Sequence, residues 1–418
     1  MTQAAAAQLR DRIAGHFLAD PPDALGVAVS GGGDSMALLA LLTDWRDAGG
    51  PRLVAVTVDH GLRPEAAGEA RMVARLCAQW EIPHDTLHWH GAEGPGNLPD
   101  RARRARYALM AGWAAGRGIS CIALGHTLDD QAETFLMRLA REAGLDGLSA
   151  MTPDWRQDGV RFARPLLDTR RAALRELLRA RGLDWAEDPT NEDTAYERAR
   201  TRQVLTALAP LGIDAETLAN VAGHLSGARR ALERHVAGAA REVAHIEAGD
   251  VVFDRPALCA LDPEIARRLM QKALLWIGGG EYPPRAAPLA RLLQNVAEGR
   301  GATLRGCRLI ARTGTLRLTR EEAALAGIRV PAGEVWDGRW RLSGPDMEGV
   351  SIAALGAGGL AGCPDRRDTG LPAATLRASP AAWRGETLVA APLAGLGNGW
   401  TARLVPRGKH DFAALLSH

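Results

Sequence analysis

Residues 25–42 read Leu-Gly-Val-Ala-Val-Ser-Gly-Gly-Gly-Asp-Ser-Met-Ala-Leu-Leu-Ala-Leu-Leu, and the break in the middle decides the fold. An apolar run fit for a buried parallel strand stops at Ser30-Gly31-Gly32-Gly33-Asp34-Ser35, then resumes as a helix-forming stretch. Successive glycines let backbone N–H groups crowd round an anion, and the following helix adds the partial positive charge of its N-terminus. The expected guest is a phosphate, cradled by Ser30, Gly31, Gly32, Gly33, Asp34 and Ser35. No Gly-Lys-Ser/Thr follows, so this is not a Walker A loop, and Gly-x-Gly-x-x-Gly is missing too. An ordinary glycine turn, with Asp34 or Ser35 capping a helix, is the plainer alternative.

Outward from this loop, strand-like and helix-like segments alternate. Strands are expected at 25–30, 53–58, 84–89 and 119–124, and helices at 35–47, 65–80, 99–116 and 128–141. Alternation at these lengths implies right-handed crossovers and an α/β fold with a doubly wound parallel sheet, whose ligands sit beyond the carboxyl ends of the strands. Leu9, Ile13 and Phe17 at helical spacing predict a leading amphipathic helix rather than a targeting peptide. Residues 164–205 read as a turn-plus-helix extension of the same domain. Helical periodicity follows at 204–224, 229–247, 256–277 and 286–297, then one β-hairpin over 303–318. Beyond 330 the chain is rich in Gly, Pro and Trp, which predicts a small β-rich region. The expected domains are therefore 1–205, a mainly helical 206–322 and a β-rich 323–418.

The bulk properties narrow the class. The 418 residues are 46% hydrophobic and 24% charged, with a net charge of +2, so nucleic-acid binding would have to rest on local patches. Five scattered cysteines, none in a Cys-x-x-Cys pair, argue against a disulfide framework, a zinc site or an iron–sulfur site, and fit a reducing cytoplasm. No apolar run approaches the ~20 residues of a membrane helix.

Chemistry-bearing residues gather where the strands end. Asp59-His60-Gly61-Leu62-Arg63 closes the second strand, facing the crevice where a base or ribose would lie. Gly125-His126-Thr127-Leu128-Asp129-Asp130-Gln131-Ala132-Glu133 closes the fourth and opens a helix. Thr127-x-x-Asp130 is a capping box, which accounts for one carboxylate without chemistry. The excess acids remain: magnesium takes hard oxygen ligands shared with substrate phosphates, and Asp34 with Asp129 or Asp130 are candidates. His126 is expected to balance charge on an α-phosphate. Arg103 and Arg106 lie three apart on the third helix, suited to phosphate or RNA. Asp188-Pro189-Thr190-Asn191 is turn chemistry followed by Arg198 and Arg202, an expected acceptor-substrate region.

Ser-Gly-Gly-Gly-Asp-Ser after a first strand resembles the PP-loop of the ATP pyrophosphatases, a Rossmann-like fold. The ordered set resembles the tRNA(Ile)-lysidine synthase family: residues 30–35, Val-Asp-His-Gly-Leu-Arg (58–63), Ala-Arg-Arg-Ala-Arg-Tyr (102–107), 125–134, Gly-Leu-Asp-Gly-Leu (144–148), Arg-Pro-Leu-Leu (164–167) and Glu-Asp-Pro-Thr-Asn (187–191). The match covers about the first 205 residues, and the last hundred match poorly. The resemblance implies that ATP, with Mg²⁺, adenylates C2 of the wobble cytidine in the CAU anticodon of tRNA(Ile). Free L-lysine then displaces AMP, giving a C–N bond. Asp34, Asp59, His126, Asp129 and Asp130 are the implied catalytic set, with Asp129 or Asp59 as the base for lysine. His60, Arg63, Arg103, Arg106, Glu133, Asp188, Asn191, Arg198 and Arg202 are the implied substrate contacts. Two departures stand out: Glu142 falls in the family's Arg-Gly-Ser/Ala-Gly loop, and Ala199 replaces an Asn of Arg-Asn-x-Ile-Arg. A tRNA thiolase on the same scaffold, an RNA-binding protein with a decayed site and an amidotransferase-type ligase are the competing readings.

Overall fold

The computed structural model describes residues 2–61, 65–91, 97–187, 197–280, 282–407 and 411–417. The chain divides into two compact units, Met1–Arg229 and Arg230–His418.

The first unit is built on strands β1 (Ala24–Ala28), β2 (Arg52–Asp59), β3 (His84–His88), β4 (Cys121–Leu124), β5 (Asp154–Gln157) and β6 (Val160–Ala163). Their order is β3-β2-β1-β4-β6-β5, parallel throughout except for β5, which runs antiparallel on β6. The helices are α1 (Gln3–Phe17), α2 (Gly33–Asp47), α3 (Ala66–Gln79), α4 (Leu98–Gly116), α5 (Leu128–Leu139), α6 (Leu145–Leu148), α7 (Arg171–Ala180), α8 (Glu197–Leu208) and, as far as Arg229, α9 (Ala215–Val243). Alternate residues of β1 serve opposite faces, as strand geometry requires. Leu25 and Val27 join the core under α1, α2, α3 and α7, while Ala24 and Ala28 join Tyr107, Met110 and Ala114 of α4. That is the expected double winding. Helix α2 is buried over Ser35–Thr43 because it packs on the sheet and against both α1 and α7.

β1 pairs with β2 on one side and β4 on the other, so the strand order reverses at β1. A crevice opens beyond its carboxyl end, where ligands of such sheets bind. Gly125, just after β4, matters here: a Cβ would come 3.0 Å from Ser35 Cα and crowd the start of α2.

Strands β5 and β6 were not foreseen, although Asp158-Gly159 between them (φ 49° and 81°) is the Asp-Gly hairpin turn.

The second unit contains β7 (Ala244–Glu247), β8 (Asp250–Asp254), α10 (Arg255–Ala260), α11 (Pro263–Gly278), α12 (Ala286–Ala297), β9 (Ala302–Leu304), β10 (Cys307–Ala311) and β11 (Thr315–Arg320). These strands form a sheet in the order β7-β8-β11-β10-β9. Two expectations are corrected. The helix expected through 247 stops at Val243, and β7 turns into β8 at Ala248-Gly249 (φ 50° and 80°). The expected single hairpin is three strands, because Arg305-Gly306 (φ 53° and 67°) makes another tight turn. Downstream lie β12 (Val330–Pro331), β13 (Val335–Trp336), β14 (Trp340–Ser343), β15 (Ser351–Ala354), β16 (Pro380–Arg384), β17 (Thr387–Ala390) and β18 (Thr401–Leu404), in sheets of four and three strands. Trp336, Trp340 and Trp400 pack together with Leu342 and Ile352, which explains the tryptophan-rich composition.

Candidate active site

The glycine loop sits where the strand order reverses. Gly31 adopts φ +87°, a conformation that costs other residues steric strain. The Ser30 amide donates to Ser35 Oγ (3.1 Å), and Ser35 Oγ donates to the Gly32 carbonyl (2.9 Å), closing the loop onto the first turn of α2. The Ala186 amide donates to the Gly31 carbonyl at 2.9 Å, and Trp185 packs against Gly33, where a Cβ would lie 3.4 Å from the indole. Residues 185–186 thus strap the loop from outside.

Two cavities adjoin it. One of about 580 Å³ is largely apolar and is lined by Val56, Val58, Leu98 and Met110, with Asp59 and His60 at its polar end. Asp59 Oδ1 accepts from the Gly61 amide (2.8 Å), which folds the turn after β2. His60 stands edge-on to Trp89 at 5.9 Å, and burial followed by the Arg106 charge holds it below the usual histidine range. The other cavity, about 1020 Å³, is charged; Asp34, Arg106, His126, Asp130, Arg171, Arg175, Arg198 and Arg202 line it with the glycine loop. Ser30 and Arg106 border both.

Arg171 organises the acids. Its Nε donates to Asp34 (2.9 Å), its Nη1 to Glu133 (2.9 Å) and its Nη2 to Asp130 (3.1 Å), while its backbone amide donates to Asp129 Oδ2 (2.7 Å). Arg202 Nε also donates to Glu133 Oε1, at 2.8 Å. Asp130 Oδ2 additionally accepts from the Thr127 amide (2.8 Å) and hydroxyl (2.9 Å), so the expected capping box is present. Burial opposes ionisation of Asp130, but the Arg171 charge and the Thr127 hydrogen bonds overcome it and hold its carboxyl below the usual range. Asp34 goes the other way: burial raises it, despite Arg171.

These contacts bear on magnesium. Among the described residues no three His, Cys, Asp or Glu side chains converge as a cation cage. Magnesium commonly needs only one or two carboxylates beside substrate phosphates. Asp34 Oδ1 is buried without a hydrogen-bond partner and fits that role. Asp130 has both oxygens engaged, and Asp129 turns to the first amide of α7 and to Arg170 (3.6 Å). Of the expected trio, Asp34 is the one with a buried oxygen left without a hydrogen-bond partner.

His126, expected to balance charge on an α-phosphate, sits in a buried and cation-rich setting that opposes its protonation. Burial, then the Arg164 charge, pushes it down to about 3, and Arg106 and Arg198 add to the effect while Asp130 opposes it. The ring is neutral. Arg103, expected beside Arg106, lies exposed with its guanidinium over the Tyr107 ring (5.6 Å). Arg63, Asp188 and Asn191 lie outside the described residues. Arg171, Arg175 and Trp185 are among the cavity-lining residues that sequence reasoning missed. One signal existed for Arg171: a cation as the first residue of a helix opposes the helix dipole unless carboxylates hold it there.

Residues 3–209 match the PP-loop domain family. Over 414 residues the chain is 51% identical to the tRNA(Ile)-lysidine synthase of Ruegeria pomeroyi, covering 99% of each chain. The chain belongs to the tRNA(Ile)-lysidine synthase family. A relative of the same name from Bradyrhizobium sp. is 46% identical over 265 residues, covering 61% of this chain and 74% of that one. Another, from Mesorhizobium japonicum, is 41% identical over 344 residues, covering 79% and 75%. No helix among the described residues is long and apolar enough to cross a membrane.

Proposed function

We propose that the enzyme joins L-lysine to C2 of the wobble cytidine in the CAU anticodon of tRNA(Ile), by way of an adenylated cytidine. The coarser statement follows from family membership: this is an ATP-dependent ligase of tRNA lysidine formation, built on a PP-loop domain. The reaction solves a leaving-group problem. The C2 oxygen attacks the α-phosphorus of ATP and pyrophosphate departs. The lysine ε-amine, having lost a proton, then bonds to C2, and the oxygen leaves within AMP.

The residues suit these steps. Val56, Val58, Leu98 and Met110 offer an apolar slot for adenine. The loop amides not engaged within residues 30–35 suit the charge that grows on the leaving diphosphate, where fixed dipoles act without reorganising. Magnesium, when bound, would rest on Asp34 and the phosphates and spread that charge. Arg106, bordering both cavities, suits the α-phosphate or the adenylated base. Asp130 lines the charged cavity and Glu133 Oε2 is buried without a hydrogen-bond partner, carboxylate oxygens suited to the lysine ammonium. Arg198 and Arg103 are exposed and suited to tRNA phosphates. Cysteine lines neither cavity, which disfavours the thiolase reading.

The observation that carries this reading is the glycine loop at the switch point, opening on adjoining apolar and charged cavities. Its test uses purified enzyme with ATP, magnesium, labelled lysine and tRNA(Ile) bearing CAU. Label should enter the RNA only with ATP and should vanish in Asp34→Ala. Labelled sulfur entering instead of lysine would overturn it in favour of a thiolase.

A further inference from the structure

Arg164 stands behind the cavity wall. It is buried, with 6% of its surface exposed, and is not among the side chains lining the charged cavity. Its guanidinium lies over the Trp155 ring at 4.0 Å, and its Nη1 donates to the Thr152 carbonyl at 2.7 Å. Trp155 is itself fixed, stacked on Phe162 (5.1 Å) with Tyr107 edge-on at 5.4 Å. The guanidinium is therefore held rigidly, and its Nε reaches His126 Nδ1 at 3.2 Å.

The consequence is chemical. A guanidinium has only donors, and it does not lose its proton in a protein. His126 Nδ1 must therefore be the acceptor, which puts the ring's single proton on Nε2. His126 lines the charged cavity beside Gly32, Asp34 and Ser35. We propose that Arg164 is a positioning residue that locks His126 in the Nε2–H tautomer, so that the ring presents a neutral donor to an α-phosphate oxygen of ATP. The charged groups facing His126 are Arg164, Arg106, Arg198 and Asp130, three cations against one acid. A histidine free to protonate would compete with Arg106 for the same anion and could donate from either nitrogen. The locked ring has one donor, aimed once. The phosphate half of this inference rests on the function proposed above; the tautomer half does not.

The test reads the ring directly. In the full chain labelled with ¹⁵N-histidine, the His126 signals are assigned by their loss in His126→Gln. Nδ1 should be unprotonated and Nε2 protonated down to pH 5, and Mg-ATP should shift the Nε2 signal. Arg164→Met should raise the pH at which His126 titrates, leave both tautomers populated and lower tRNA-dependent ATP–pyrophosphate exchange about ten-fold in kcat, with little change in the KM for ATP. Arg164→Lys should restore part of kcat. A protonated Nδ1 in the wild type, or a kcat unchanged in Arg164→Met, overturns the inference. Absence of any ATP–pyrophosphate exchange in the wild type would instead overturn the proposed function and leave the tautomer result standing. If Arg164→Met fails to fold, the wild-type spectrum and Arg164→Lys still decide.

Discussion

The two units each bury a network of arginine and carboxylate, and the two networks are built to opposite ends. In the second unit Arg320 takes both oxygens of Asp337 at 3.0 Å, and Asp250 accepts from Thr375 (2.6 Å) and Arg317 (3.0 Å). These pairs fasten strands and turns to one another. In the first unit Arg171 is divided among three acids, Asp34 Oδ1 and Glu133 Oε2 are buried without partners, and the network borders a cavity of about 1020 Å³. A buried oxygen left unpartnered costs stability. Among the described residues the second network leaves no carboxylate oxygen buried without a partner, and the first keeps two in reserve.

The sharpest way to break the comparison is to remove one acid from each network. Asp34→Asn should reduce lysine incorporation at least about a thousand-fold, as expected when a leaving group loses its electrostatic support, yet leave the melting temperature unchanged or slightly higher. Its carboxyl is raised by burial, so the folded state holds the proton more tightly than the unfolded chain, and ionised Asp34 is a cost at neutral pH. Asp250→Ala should do the reverse. It leaves the buried Thr375 hydroxyl without its acceptor and Arg317 with Glu247 alone, and should cost about 1–3 kcal/mol in denaturant unfolding while leaving the KM for ATP unchanged.

Arg171→Met comes next. It leaves Asp34, Asp130 and Glu133 facing one another, and should cost about 2–3 kcal/mol at pH 7. The pH dependence carries a sign. Arg171 lowers the Asp130 pKa, so its stabilisation is present above the usual carboxylate range and fades as the acid protonates. The gap between wild type and variant should therefore hold from pH 7 to about pH 4 and narrow mainly below it.

A smaller effect belongs to His126. Its folded value of about 3 lies below the unfolded value of 6.5, so the unfolded chain binds the extra proton and stability falls as pH drops below 6.5. The slope is about 1.4 kcal/mol per pH unit, and His126→Gln should flatten it between pH 6.5 and 5.5. Smallest of all, Arg103→Ala, on the exposed face of α4, should stay within about 0.5 kcal/mol in stability and raise only the KM for tRNA.

The parallel sheet was legible because β1, β2 and β4 carry apolar runs followed by a helical period, and period is local. The loop was legible because only glycine-rich backbone reads that way. What the sequence hid was long-range. Arg171 meets Asp34 across 137 positions, and its place at the start of a helix hints at acidic partners without naming them. The role of Asp130 was half visible, since a capping box explains its Thr127 contacts but not Arg171. The second unit resisted for a different reason. Its turns at Ala248-Gly249 and Arg305-Gly306 place non-glycine residues at positive φ, so an apolar period ran on through them unbroken.

The most direct test follows one oxygen atom. Transfer RNA carrying ¹⁸O at C2 of the wobble cytidine, incubated with the enzyme, lysine and magnesium-ATP, should release AMP that carries the label. Unlabelled AMP, or label in pyrophosphate, would mean that the glycine loop does not serve activation of that base.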